Sequence, residues 1–396
     1  MNYIGSKYSL LGDIEQMLAD HQLPRDGIAL DLFAGTGAVA QLLKRRGHIV
    51  YANDWQHYAY VTNVAFLELN AYPTFDALLG DPFWSVQLRN APQAPILAYS
   101  IQHRGAPVGD LACTQVLSYL NALPGDGANP SSRPFFDSYC QGGSAGRTYF
   151  SRDNGRRIQA IRDRIEAWSQ SGLLTAAEKA WLIACLIESA DRVANTASVY
   201  GAYLKRIKKT AQKPLTLVAL KPIASPHLAE QHRVFCQDGL SLLHALARAG
   251  ARASASEPLR LIYVDPPYNH RQYAANYHIL ETIARWDLDR FEPRGVTGLR
   301  DDEEQRSDYS LRSRVEDGFR QLFEAMHTDY VLFSYNNEGL LPEDKLLGLF
   351  DEFCTEVDFR QIRFKRFRAD VDRANRVYKA DHTHEFLVFG KLKISA

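Results

Sequence analysis

Asp265, Pro266, Pro267 and Tyr268 directly follow the apolar run LIYV, and together they offer an uncommon pair of hydrogen-bond acceptors. Two successive prolines make a rigid turn whose second peptide has no N–H to donate, so the Pro266 carbonyl is left free to accept. An amine on an adenine ring is a poor nucleophile because its lone pair is delocalised into the ring. A catalyst for it should accept hydrogen bonds from both amino hydrogens and help the nitrogen become tetrahedral. The Asp265 carboxylate and the Pro266 carbonyl are two such acceptors, fixed before the reaction. Tyr268 supplies a ring on which an extruded base could stack. The plain alternative is a turn with a buried tyrosine.

A second constellation, DLFAGTG, runs from Asp31 through Phe33 to Gly35 and Gly37. Glycines between a strand and a helix let the backbone approach a ligand closely, because there is no Cβ in the way. Asp54 ends the next apolar run, where a carboxylate can accept two hydrogen bonds from a ribose. The pair describes a nucleoside-containing cofactor at the carboxyl edge of a parallel sheet. Two glycines can equally be a tight turn, and without a third they do not identify NAD.

These residues need strands and helices in alternation to hold them. IALDLF (28–33), a helix over Ala38–Arg45 and the strand HIVYAN (48–53) form a βαβ unit, which predicts a parallel sheet. The alternation stops between about 65 and 231, where Gly, Pro and Ser clusters punctuate the chain. It resumes with HRVFCQD (232–238), a helix over 239–249, RLIYVD (260–265), VLFSYN (331–336) and the helix EDKLLGLFDEFC (343–354). Two antiparallel strands finish the chain, VDFRQIRFKRF and HEFLVFG. The expected division is a domain of residues 1–64 and 232–396 interrupted by an insert, 65–231, helical in its second half. There Ile158, Ile161, Ile165 and Trp168 recur at helical spacing, and a further helix is expected over about 176–193.

At 396 residues and 44.7 kDa with 46% hydrophobic content, the chain can bury a core without staples. Five cysteines with no C-x-x-C pair favour reduced thiols and a cytoplasmic setting over a disulfide frame or a zinc knuckle. No apolar run approaches the ~18 residues of a membrane helix, and no metal site is expected. Net charge is +0, so attraction to nucleic acid must come from local patches. Residues 131–213 carry 14 Lys and Arg against 7 Asp and Glu, and a second basic run spans Arg360–Arg368. Arg147, Arg152, Arg156 and Arg157, with Tyr149 and Phe150 among them, suit phosphate contact and base-step insertion. The plain alternative is a solvated face.

DLFAGTG, DPPY and the N-terminal YIGSK, in that family's motif order, resemble the S-adenosylmethionine-dependent DNA adenine-N6 methyltransferases of the Dam-like alpha group, including restriction-associated members. VANTASVYGAYLK and the stretch after DPPY are similar too. The resemblance implies an α/β fold, a Rossmann-like seven-stranded methyltransferase sheet with its last strand antiparallel and a mostly helical DNA-recognition insert. It implies S-adenosylmethionine as cofactor and double-stranded DNA as partner, with no metal, no membrane, and a possible cognate restriction endonuclease. Carried over by motif, Tyr3 and Lys7 of YIGSK lie against the cofactor, with Ser6 where the family more often has a second glycine. Asp31, Phe33, Gly35 and Gly37 match the glycine motif, Asp54 the ribose-binding acid, Asp238 the acid near the cofactor adenine, and Asp265–Tyr268 the catalytic turn. Lys7 as a solvated lysine and Asp238 as a helix N-cap are the plain alternatives. Asn269, Arg271 and Tyr273, with Asn276, Tyr277 and His278, fall where a loop could face DNA or pack inside. Rival readings are amine methylation of RNA, N4-cytosine methylation, and a catalytically idle DNA-binding regulator.

Overall fold

The computed structural model describes residues 6–99, 104–125, 133–250, 258–268, 273–301, 307–365 and 382–393. Tyr3, Asn269 and Arg271 lie outside the described residues, and so does the side chain of Tyr273, whose backbone opens the helix Tyr273–Arg285.

The chain divides into two compact units, one of residues 6–56, 225–274 and 302–396, the other of 1–5, 57–224 and 275–301. The first is built on a seven-stranded sheet. Its strands are β1 (Ile28–Asp31), β2 (Ile49–Asn53), β3 (Arg233–Phe235), β4 (Leu259–Val264), β5 (Tyr330–Asn336), β6 (Cys354–Lys365) and β7 (His382–Leu392), in the order β3-β2-β1-β4-β5-β7-β6. The first five pair parallel, and β7 runs antiparallel to both its neighbours.

Because side chains alternate along a strand, the register sorts the sheet into two faces. One is apolar: Leu30, Ile262, Val264, Val331, Phe333, Phe386 and Val388 are buried against the helices Val315–Ala325 and Glu343–Phe353. The first of these helices aims Val315, Phe319, Leu322 and Phe323 at the sheet, the spacing of one helical face. Each such side chain contributes about 1.5–3 kcal/mol on burial. The other face carries polar groups toward the carboxyl edge. Asp31 pairs with Tyr263 across β1 and β4, and Asn336 with Glu385 across β5 and β7.

The second unit is mainly helical. Its helix His57–Leu67 is buried along nearly its whole length, because an apolar helix without a polar face has no side to give to water. It packs on the helix Ala176–Arg192 of the same unit. Segment 275–301 also belongs to it. Buried Arg162 donates to the carbonyls of Ile283 (2.9 Å) and Ala284 (3.2 Å), and the Tyr200 amide donates to the Asn276 carbonyl (2.9 Å). Helix Arg152–Gln170 buries Ile158, Ile161, Ile165 and Trp168, the expected stripe. Helix Ala176–Arg192 starts with a capping box, in which Thr175 and Glu178 satisfy each other's backbone amides. The unit also contains a small sheet of Leu97–Tyr99, Arg104–Pro107 and Ala219–Leu220 that the sequence reading does not anticipate.

Among the described residues no helix is long and apolar enough to cross a membrane, and no three His, Cys, Asp or Glu are grouped to hold a metal. No disulfide joins the five cysteines.

Candidate active site

The glycine turn forms at the carboxyl end of β1. Gly35 (φ 51°) and Gly37 (φ 75°) both take the left-handed conformation that a Cβ disfavours, and Gly37 delivers the chain into the helix Ala38–Arg45. Asp54 pins this turn from the neighbouring strand: its Oδ2 accepts the Gly35 amide (2.8 Å) and its Oδ1 the Gln56 amide (2.9 Å). Asp31 is buried; its Oδ2 accepts the Ala40 amide (2.9 Å), while its Oδ1 is enclosed with no hydrogen-bond partner among the described residues. Burial, with the charges of Asp265 and Asp54 adding to it, drives the Asp31 carboxyl well above the usual carboxylate range.

Asn53 braces this edge, and the sequence reading passed over it. Its Nδ2 donates to the carbonyls of Leu32 (3.1 Å) and Gln237 (3.0 Å), tying together the chain ends that follow β1 and β3. Phe33 meets Tyr309 edge-on at 5.4 Å, and a Cβ on Gly239 would come within 3.2 Å of the Phe33 ring, so only glycine fits there without displacing it. Asp238 caps the helix Gly239–Gly250 through the Ser241 amide (2.8 Å), the plain alternative for that residue.

Asp265 follows β4 on the polar face. Lys7 Nζ lies 3.1 Å from Asp265 Oδ1 and 3.4 Å from Glu385 Oε2, and sits 5.2 Å from the centre of the Tyr268 ring. Burial pushes the Asp265 carboxyl up to about 7; Lys7 opposes the shift and Glu385 adds to it. Pro266 is buried, while Tyr268 is half-buried with its ring edge-on to Tyr335 at 6.2 Å. Lys7, placed against the cofactor by resemblance, here grips Asp265. Glu385 was missed altogether, since HEFLVFG carries no signal beyond that of a strand. A basic carboxylate beside a backbone carbonyl, on the edge that carries the glycine turn and Asp54, can accept hydrogen bonds from an amine as it reacts.

A profile of the D12 class N6 adenine-specific DNA methyltransferases matches residues 3–239 and 248–346. The chain belongs to that family. Type II methyltransferase M.NlaIII of Neisseria lactamica is 36% identical over 391 residues, covering 98% of each chain. Modification methylase StsI of Streptococcus sanguinis is 29% identical over 96% of this chain, and type II methyltransferase M.FokI of Planomicrobium okeanokoites 28% identical over 98% of it. The chain spans only 51% and 52% of the lengths of those two. This protein is therefore an adenine-specific DNA methyltransferase with a Rossmann-like catalytic sheet, and the methyl donor of its family is of the S-adenosylmethionine type.

Within the helical unit of this methyltransferase, the aromatic residues expected to insert between bases do not do so: Tyr149 and Phe150 are fully buried. The Tyr149 hydroxyl lies within hydrogen-bond distance of the carbonyls of Tyr200 (2.9 Å) and Thr297 (3.0 Å), which makes it a core tie. Tyr277 and His278 are likewise packed inside. The Arg147 guanidinium donates to the carbonyls of Ser138 (2.8 Å), Gly295 (2.9 Å) and Val296 (3.0 Å), and Arg157 to that of Asn121 (2.7 Å). Arg156 lies against the Phe136 ring at 5.7 Å, and Arg152 is exposed. A different basic stretch is better presented. Lys205, Arg206 and Lys209 are exposed on a segment pinned by buried Asn195, which accepts the Lys208 amide (2.9 Å) and donates to the Leu204 carbonyl (2.8 Å). The run KRIKK was its sequence signal.

Proposed function

We propose that this methyltransferase transfers a methyl group from S-adenosylmethionine to the N6 amine of an adenine rotated out of duplex DNA at one specific sequence, as the modification partner of a type II restriction endonuclease. The observation that carries the reading is Asp265, raised in basicity by burial and followed by the rigid Pro266 carbonyl, on the sheet edge that bears the left-handed glycine turn. The residues present suit the donor. The turn leaves backbone open to close approach, Asp31 Oδ1, without a partner among the described residues, offers a hydrogen-bonding atom, and Asp54 places a carboxylate beside the turn that ribose hydroxyls could meet. When bound, the donor supplies a methyl carbon activated by its bond to a sulfonium.

The glycine turn, Asp31 and Asp54 would hold that donor, whose methyl would pass to the adenine N6 lone pair with the carbon–sulfur electron pair left on a neutral thioether sulfur. Asp265 and the Pro266 carbonyl accept hydrogen bonds from the two N6 hydrogens as the nitrogen becomes tetrahedral, and one proton leaves to Asp265 or to water. Tyr268 stacks on the rotated base. Arg152, Lys205, Arg206 and Lys209 contact phosphates, and Asn269, Arg271 and Tyr273, next in sequence after the proposed catalytic turn, are further candidates for DNA contact. The names of M.NlaIII and M.FokI as type II methyltransferases support the restriction pairing, and the setting is the bacterial cytoplasm.

Transfer of labelled methyl to unmethylated bacterial DNA and, separately, to RNA, followed by nucleoside chromatography, tests the reading. N6-methyladenine in DNA is the expected product; label confined to RNA or to cytosine would overturn it.

A further inference from the structure

Glu385 stands in β7, across β5 from the end of β4, and its carboxylate reaches the ammonium that also holds Asp265. We propose that Glu385 is a positioning residue for methyl transfer, sharing the Lys7 ammonium with Asp265 so that Asp265 stays oriented to accept hydrogen bonds from the adenine amine. The proposal rests on the reading of Asp265 as that acceptor.

The geometry favours sharing over a simple ion pair. Lys7 is 4% exposed, so its three N–H groups must find partners inside the protein. Asp265 Oδ1 lies at 3.1 Å and Glu385 Oε2 at 3.4 Å, while the Tyr268 ring takes the cation over its face. A buried lysine facing Asp265 alone would hold the carboxylate as a tight pair and compete with the amine for it. A second carboxylate draws the ammonium partly away, and its negative charge raises the proton affinity of Asp265, as the balance at Asp265 requires. Asp31 on β1 and Tyr263 on β4 also influence Asp265 electrostatically, and burial drives both toward their neutral forms; among the described residues Lys7 and Glu385 are its charged partners. Asn336, paired with Glu385 in register, continues the same polar face.

The direct test is carbon-13 NMR of the full chain labelled at aspartate carboxyls, with no donor or DNA present; the Asp265 signal is assigned by its loss in Asp265→Asn. The unsubstituted protein should titrate at Asp265 near 7. Glu385→Gln should lower that midpoint by about one pH unit and Lys7→Met should raise it by about as much. The acidic limb of single-turnover methyl transfer should move in the same two directions. Plateau turnover in Glu385→Gln should fall by about tenfold to a hundredfold, with the KM values for DNA and donor unchanged. A folded Glu385→Gln protein with an unmoved midpoint, or with wild-type turnover, would overturn the proposal. Should that variant fail to fold, Lys7→Met decides. In the unsubstituted chain labelled at glutamate, the Glu385 signal must also register the titration of Asp265, and silence there would overturn it too. Turnover retained in Asp265→Ala would instead sink the underlying reading of Asp265, whereas an inactive Asp265→Ala beside an unmoved Glu385→Gln confines the failure to Glu385.

Discussion

The two units use their charged residues in opposite ways. At the carboxyl edge of the sheet unit, Asp31, Lys7 and Glu385 are buried and Asp265 nearly so, and each acts on the proton affinity or placement of another. In the helical unit half-buried Arg147 and buried Arg162 are spent on backbone carbonyls, while Lys205, Arg206 and Lys209 face water on a segment fixed by Asn195. Residue type does not separate a working charge from a structural one; what its donors and acceptors are already doing does. An arginine whose five N–H groups are satisfied inside the protein has little left for phosphate.

Several substitutions would break or sharpen that contrast. The largest effect is expected at Arg162, fully buried with donors to Ile283, Ala284 and Glu166. Arg162→Ala should destabilise the protein by about 3–5 kcal/mol in urea titrations, because it leaves two buried carbonyls without their donor and opens a cavity where a large side chain was packed. It should leave the salt dependence of DNA binding by the folded fraction unchanged. Replacing Lys205, Arg206 and Lys209 together by alanine should do the reverse. Melting should barely move, while the slope of log affinity against log salt should flatten by about 0.9 for each lost phosphate contact; an unchanged slope would remove that segment from the DNA interface. Asp54→Ala should weaken donor binding by calorimetry more than DNA binding, since it both offers acceptors and clamps Gly35; equal losses would count against the ribose role.

The smallest effect is a pH dependence. His232 is buried, accepts the Val50 amide on Nδ1 (3.0 Å) and faces Ser225 Oγ through Nε2 (3.0 Å), and burial lowers its pKa to about 4. An unfolded histidine titrates near 6.5, so the neutral ring contributes stability that is fully present above about 6.5 and lost as pH falls toward 4. Asp265, raised to about 7, works in the other direction: its contribution is present at low pH and lost as pH rises from about 4 to 7. The difference in melting temperature between the unsubstituted protein and His232→Gln should therefore narrow on going from pH 7 to pH 5. A constant difference would contradict the neutral, acceptor form of His232.

Much of the sheet unit is legible from local pattern. The run IALDLF, its glycine turn and the helix after it announce themselves through a breaker between two periodicities, and the prolines after β4 mark the turn proposed to be catalytic. Glu385 and Asn53 were not legible, because their importance comes from partners far away in sequence: Lys7 for one, Gln237 for the other. The small sheet of the helical unit hides for the same reason, its strands being two to four residues long and pairing Ala98 with Ala219. Tyr149 and Phe150 misled because aromatics between arginines look alike whether the aromatics face water or the core; their burial and the carbonyl partners of Arg147 distinguish the cases.

The central claim is that the turn after β4 carries the chemistry. Single-turnover transfer of labelled methyl to duplex DNA, compared between the unsubstituted protein and an Asp265→Ala protein of unchanged melting temperature, tests it most directly. The account predicts N6-methyladenine from the first and a rate lower by about a thousandfold or more from the second, as for loss of a group aimed at the transition state. Equal rates from the two proteins would contradict it.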